Sequence, residues 1–241
     1  MLTFLAYRAR ILCAAGLLSG IFAGLNAQGL AHPSGDLSDL PLTITAATGN
    51  NFSDIMGVFI SGDGGWKDFD QKICNGLASN GIPVAGLNAL KYFWKARTPE
   101  GASWDLSRIL QAYEQTWGKK EVVLIGYSWG AEVLPFLFNR LSDEQKKRVK
   151  GIVLLSPADK TVFEYRVVFL LHQNGANASL VAPELKKMYN YRTLFIFGSD
   201  ENTSWVKPLL KDNFQIKTLK GGHHYNGDTG LVSEAIGKFL N

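Results

Sequence analysis

Between the mainly apolar run Glu121-Val122-Val123-Leu124-Ile125 and the helix-forming stretch Ala131-Glu132-Val133-Leu134-Pro135-Phe136-Leu137-Phe138 lies the pentapeptide Gly126-Tyr127-Ser128-Trp129-Gly130. No other feature constrains the fold of this chain so tightly. A serine flanked by glycines at i−2 and i+2, between a buried strand and a helix, marks a nucleophile elbow. The turn must be strained to lift the hydroxyl clear of the sheet, and the glycines let strand and helix approach without a Cβ clash. The helix that begins there directs backbone N–H groups toward any oxyanion formed at the serine. A chance Gly/Ser turn would need neither the strand before it nor the helix after it.

The rest of the chain repeats the strand-then-helix pattern. Strand candidates are Leu42–Ala46, Ile55–Ile60, Pro83–Leu87, Glu121–Ile125, Gly151–Leu155, Thr193–Phe197 and Phe214–Leu219. Helix candidates are Lys67–Ser79, Ser103–Thr116, Trp129–Leu141, Ser204–Lys211 and Leu231–Leu240. Short continuous apolar strands alternating with helices predict an α/β class with a mostly parallel sheet covered on both faces. With the elbow, the expectation is an α/β-hydrolase fold over residues 41–241. Residues 157–191 form too long a connection between two core strands and are expected to build a small cap. Within it Phe163, Tyr165, Val167, Phe169 and Leu171 alternate with other residues, as in an amphipathic strand or an apolar lid surface. Ordinary core packing accounts for that pattern equally well.

A chain of 241 residues with 46% hydrophobic content suits one domain with a sizeable core. Its beginning does not belong to that core. Arg8 and Arg10 precede an apolar stretch from Ile11 to Leu25, followed by small residues, which predicts a secretory signal and cleavage region over residues 1–31. Cleavage after Ala27 places Leu25 at an unsuitable position, whereas Gly29-Leu30-Ala31 offers a better small-x-small site. An uncleaved anchor is the alternative, and both place the body outside the cytoplasm. Residues 32–40 read as a mobile linker. Cys13 falls in the signal, which leaves Cys74 unpaired in a helical apolar pattern, where a buried structural thiol is expected. The net charge of +4 falls to +2 without Arg8 and Arg10, too mild for a nucleic-acid partner. Lys146, Lys147, Arg148 and Lys150 read as a solvated helix end, with contact to anionic lipid headgroups as the second reading.

A serine nucleophile needs a base, and the base an orienting acid. Of the four histidines, His32 lies in the linker and His172 in the cap, which leaves His223 and His224 after the last strand, where this fold places its base. His223 is favoured because it directly follows Gly222. The acid is expected after Thr193–Phe197, in Gly198-Ser199-Asp200-Glu201. Spacing from Gly198 favours Glu201 and residue type favours Asp200; both stay open, with Glu201 ahead. One oxyanion donor should be the backbone N–H of Trp129. The other should come from Asp63 or Gly64 in the glycine loop Ser61-Gly62-Asp63-Gly64-Gly65-Trp66, which follows an early strand. A phosphate-binding loop would need a lysine directly after the last glycine, where Trp66 stands.

These motifs, together with Lys91-Tyr92-Phe93-Trp94, Arg97-Thr98-Pro99-Glu100, the extension of the elbow through Ala131-Glu132-Val133-Leu134-Pro135-Phe136, and Gly222-His223-His224, make the chain similar to the VirJ/AcvB family of bacterial periplasmic α/β-hydrolases. The resemblance spans Ser61 to His224. It implies a periplasmic serine esterase acting on aminoacyl-phosphatidylglycerol at the membrane surface, with no cofactor, no metal and no nucleic acid, and a virulence role in which secretion-system components are partners. These 241 residues hold no counterpart of the long N-terminal domain of AcvB-type members, so nothing that depends on that domain is expected from the resemblance. An aminoacyl ester carries an α-ammonium group, for which Asp63, Glu132 and Asp159 are candidate carboxylates. Tyr92, Phe93 and Trp94 are candidates for lining the lipid or aminoacyl channel, with core packing expected for at least one of them. A general carboxylesterase or lipase, and a non-catalytic accessory protein, are the alternatives.

Overall fold

In the computed structural model, which describes residues 36–165 and 178–241, strand periodicity translates directly into layers. Successive strand side chains point to opposite faces. In Ile55–Ile60 (β2), Met56, Val58 and Ile60 therefore enter one apolar cluster, while Ile55 and Phe59 enter another on the far side of the sheet. The first cluster is covered by the helices Pro99–Trp117 (α3) and Trp129–Asn139 (α4), the second by Asp68–Ser79 (α1) and Thr229–Leu240 (α7). The remaining strands are Leu42–Thr45 (β1), Val84–Leu87 (β3), Glu121–Tyr127 (β4), Val149–Leu155 (β5), Thr193–Gly198 (β8) and Phe214–Leu219 (β9).

Together they form a seven-stranded sheet in the order β1-β3-β2-β4-β5-β8-β9, in which only β1 runs antiparallel to its neighbour. This is the expected α/β-hydrolase architecture. The chain leaves β2 toward β3 on one side and returns as β4 on the other, so β2 and β4 flank the point where strand order reverses. Open parallel sheets bind ligands outside the carboxyl ends of strands at such a point. Ile60 pairs with Gly126 across it, so the glycine loop after β2 and the elbow after β4 emerge side by side.

Several boundaries differ from the sequence reading for identifiable reasons. Helix α3 begins at Pro99 rather than Ser103 because Thr98 caps it, accepting from the Gly101 N–H at 3.0 Å, and Pro99 fills the first position, where no N–H is required. The helix expected over Ser204–Lys211 is only a 3₁₀ turn, Lys207–Leu209, since Pro208 cannot donate to an α-helical ladder. Two short helices, Ala89–Tyr92 (α2) and Asp143–Arg148 (α5), are not among the helix candidates, although Lys146, Lys147 and Arg148 do stand in the last turn of α5, the helix end read for them. In the proposed cap, Lys160–Thr161 (β6) pairs antiparallel with Ser179–Leu180 (β7), followed by the short helix Ala182–Lys186 (α6). Val167, Phe169, Leu171 and His172 lie outside the described residues, as do the signal region and His32.

The described part of the expected linker is docked. Arg108 on α3 pairs with Asp39 at 2.7 Å and donates to the Asp36 carbonyl at 2.6 Å, while Leu40 is buried in the larger apolar cluster. The apolar positions Leu37 and Leu40, the Asp39 carboxylate and the Asp36 carbonyl carry this docking.

Candidate active site

Ser128 closes β4 with φ 52° and ψ −119°, a left-handed conformation that a non-glycine residue rarely adopts. The flanking glycines make the turn feasible by close approach. A Cβ on Gly126 would stand 2.5 Å from the Gly130 carbonyl oxygen, and one on Gly130 would stand 2.1 Å from the Ile60 carbonyl oxygen. Strand, turn and helix thus meet at backbone-to-backbone distance, which explains the glycine spacing physically.

From this turn the Ser128 hydroxyl reaches the Nε2 of His223 at 2.8 Å, and His223 Nδ1 lies 2.8 Å from Oε1 of Glu201. The loops that carry the base and the acid are fastened together. The Asp200 N–H donates to the Gly221 carbonyl at 3.1 Å, and the Gly221 N–H donates to the Ser199 hydroxyl at 3.1 Å. That joint brings Glu201, three residues past Gly198, under the imidazole. Asp200 is exposed and accepts instead from the Ser199 hydroxyl at 2.9 Å. His224 makes no comparable contact with the acid; it packs edge-on against Phe69 and Tyr127 at 5.7 and 6.1 Å. Tyr127 in turn donates to the His223 carbonyl at 3.3 Å, tying the histidine loop to the elbow.

Glu201 is held from several sides. Its Oε2 accepts from the Gly198 N–H and from the Ser156 hydroxyl, both at 2.6 Å. Burial pushes this carboxyl up, but hydrogen bonds from His223, Ser156 and Gly198 outweigh it and leave the group below the ordinary carboxylate value. It is therefore an anion at neutral pH and fixes the proton on His223 Nδ1, leaving Nε2 to accept from Ser128. Sequence reasoning missed Ser156. It follows β5, is buried, adopts φ 47°, and has its Oγ 2.7 Å from the Tyr225 hydroxyl. A lone serine after a strand carries no pattern; only its left-handed backbone singles it out.

The glycine loop lies against the nucleophile: a Cβ on Gly62 would stand 3.3 Å from the Ser128 Cβ. Asp63 is half-buried and Gly64 exposed. Below the loop, Ser61 accepts from the Ala89 N–H at 3.0 Å and anchors it to α2. Trp129 is buried, with its indole N–H donating to the Val162 carbonyl at 2.9 Å.

The remaining sequence-derived candidates separate clearly. Tyr92 is 2% exposed, and its hydroxyl donates to Asp105 at 2.6 Å. It had to be buried because it stands on the inner side of the one-turn helix α2. Phe93 is likewise buried, against Trp129 at 5.0 Å. Trp94 is 62% exposed. Asp159 is exposed. Glu132, one turn beyond Ser128, is buried at 8% exposure and accepts from the Ala158 N–H at 3.4 Å. Burial raises its pKa from 4.5 to about 7, opposed by hydrogen bonds from Ala158 and Thr161, with Asp63 pushing it up and His223 pulling it down.

Several solved structures share the fold at low identity. Est1E from Butyrivibrio proteoclasticus is 13% identical over 83% of this chain and 92% of its own, with a TM-score of 0.59. MenH from S. aureus is 14% identical over 83% and 97%, with a TM-score of 0.59. The esterase domain of a Rhodothermus marinus protein is 13% identical over 81% and 89%, with a TM-score of 0.58. At such identities the likeness carries the fold alone. No curated protein matches the chain. The model of one family, described as bacterial virulence protein (VirJ), matches residues 54–240, so the chain belongs to the VirJ family.

Proposed function

We propose that the protein is a periplasmic serine esterase that removes the aminoacyl group from aminoacyl-phosphatidylglycerol. The observation that carries this reading is the continuous hydrogen-bonded path Ser128–His223–Glu201, with both links at 2.8 Å. Ser128 attacks the ester carbonyl as His223 Nε2 takes its proton. The carbonyl oxygen becomes an oxyanion between the N–H groups of Trp129 and of Asp63 or Gly64. The C–O bond to the glycerol then breaks, His223 gives its proton to the departing alcohol, and phosphatidylglycerol leaves. A water, deprotonated by the same imidazole, attacks the acyl-serine; the acyl–Oγ bond breaks, His223 returns the proton to Ser128, and the free amino acid leaves. Glu201 keeps the imidazole oriented and stabilises its cationic form throughout.

The choice of ester rests on the family resemblance and on Glu132. A cation entering a partly dry pocket needs a partner, and Glu132 is the buried carboxylate one turn from the nucleophile. A neighbouring ammonium would favour its ionised form. The esterase among the structural neighbours supports the broader alternative of a general carboxylesterase. A purely accessory role in secretion would require no nucleophile–base–acid path.

The test compares aminoacyl-phosphatidylglycerol, its N-acetylated form and plain phosphatidylglycerol in mixed micelles, with wild type and Ser128→Ala. The free-amine substrate should be cleaved fastest, and the alanine variant should retain on the order of 10⁻⁶ of the rate by analogy with other serine hydrolases. Equal rates on all three lipids would favour a general lipase. Normal turnover by Ser128→Ala would overturn the mechanism.

A further inference from the structure

Trp94 is the most exposed of the large hydrophobic side chains among the described residues, at 62%. It is nonetheless packed against a neighbouring loop. Its indole stacks on Tyr165 at 5.4 Å and 19°, and the two loops are joined by hydrogen bonds from the Tyr165 N–H to the Phe93 carbonyl at 2.7 Å and from the Arg97 N–H to the Phe163 carbonyl at 2.8 Å. Tyr165 packs on Trp129 at 6.2 Å, so a row of rings runs from the residue after the nucleophile to the exposed indole. Beside Trp94 is a shallow cleft of about 450 Å³ lined by Leu90, Lys91, Tyr92, Trp94, Lys95 and Arg97.

The charges around this indole are distinctive. Arg97 is engaged internally, over the Tyr92 ring at 4.5 Å and 3.6 Å from Asp105. Lys91 and Lys95 are exposed and make no ion pair among the described residues. The other basic cluster contrasts with them: Lys146 donates to the Asn139 carbonyl at 2.8 Å, Lys150 pairs with Glu121 at 2.9 Å, and Arg148 pairs with Glu114. That cluster is largely committed to the fold, whereas the two lysines beside Trp94 are available.

We propose that Trp94, with Lys91 and Lys95, is an interfacial anchor that seats this face of the protein on an anionic lipid surface, next to the nucleophile elbow. Indole rings favour the headgroup level of a bilayer, where an apolar body and a polar edge are both satisfied. Unpaired lysines flanking the ring supply the attraction to anionic headgroups. The residues around the cleft present a single projecting ring between cations, a shape suited to a fluid interface. The inference does not depend on which ester the site cleaves; it concerns where the protein rests.

The full chain and the variants Lys91→Ala/Lys95→Ala and Trp94→Phe are titrated with vesicles of phosphatidylglycerol in phosphatidylcholine and of phosphatidylcholine alone, none containing aminoacyl lipid. The apolar N-terminal stretch is common to all variants and cancels in the comparison. Wild type should prefer the anionic vesicles, and removing both lysines should weaken that binding about thirtyfold, with a shallower salt dependence. Brominated lipids should quench wild-type fluorescence, and Trp94→Phe should lose most of that quenching. Hydrolysis of a soluble short-chain ester by the lysine variant should match wild type, showing that it is folded. Unchanged vesicle affinity of the lysine variant, unchanged quenching in Trp94→Phe, or no preference for anionic vesicles would overturn the anchor. Vesicle binding without hydrolysis of any ester would instead sink the esterase reading and leave the anchor standing.

Discussion

At the residue scale, the site is legible where chemistry forces a pattern and obscure where only tertiary contact decides. Ser128 and the choice of His223 over His224 follow from spacing around glycines. Glu201 and Asp200 could not be separated by sequence, because the decision depends on how the loop after β8 is joined to Gly221. Ser156 left no signal, yet its hydroxyl is one of three donors to Glu201. We expect Ser156→Ala to lower kcat about tenfold, the loss of one charge-assisted hydrogen bond, with KM little changed. Its bond lowers the Glu201 pKa, so removing it lets the carboxylate protonate at higher pH. Titration of the Glu201 carboxyl, followed by NMR, should therefore move to higher pH in the variant, a shift that a purely structural role would not give. Ser156→Gly should be equally slow but more stable than Ser156→Ala by about 1 kcal/mol, because alanine at φ 47° is strained and glycine is not. Matching Glu201 titrations for wild type and both variants would remove Ser156 from the positioning of Glu201.

At the element scale, the central strands β2, β3, β4, β5 and β8 were read within about two residues because a buried strand in a parallel sheet is a continuous apolar run, whereas the edge strands β1 and β9 are mostly half-buried or exposed. The failures came from elements too short to show a period, such as α2 and β6, and from Pro208, which reduced a helix to a single turn. Helix α4 illustrates how an element is shaped by its task. It buries Glu132 in its first turn, where a fully apolar side chain would pack more cheaply. The folded state binds a proton there more tightly than the unfolded chain, with the pKa raised from 4.5 to about 7. Stability from this group is therefore greatest below the lower value and falls as pH rises through the window between the two. Glu132→Gln should flatten that dependence, gaining on the order of 3 kcal/mol over wild type at pH 8 relative to pH 4. Urea denaturation of both proteins at the two pH values measures it, and parallel curves would mean Glu132 is not buried as described.

At the scale of the whole molecule, two apolar clusters on either side of one sheet should make the domain open as a unit. Cys74 on α1 reports on this. It is fully buried, and burial together with nearby Asp70 pushes its thiol well above the ordinary range. In a Cys13→Ser background we expect a thiol reagent to label Cys74 only at the rate of global unfolding; faster labelling would show that α1 detaches independently. Among the described residues, the left-handed non-glycine positions, Ser128, Ser156, Tyr225 and Asn226, lie in loops that leave the carboxyl ends of β4, β5 and β9. Such conformations cost on the order of 1 kcal/mol each. A library sorted for heat resistance alone would therefore enrich glycine at the exposed Asn226 and at Ser128, while the buried, mutually hydrogen-bonded Ser156 and Tyr225 would be kept. Its hardiest survivors would be inert, and any screen for a robust form of this protein has to select for turnover at the same time.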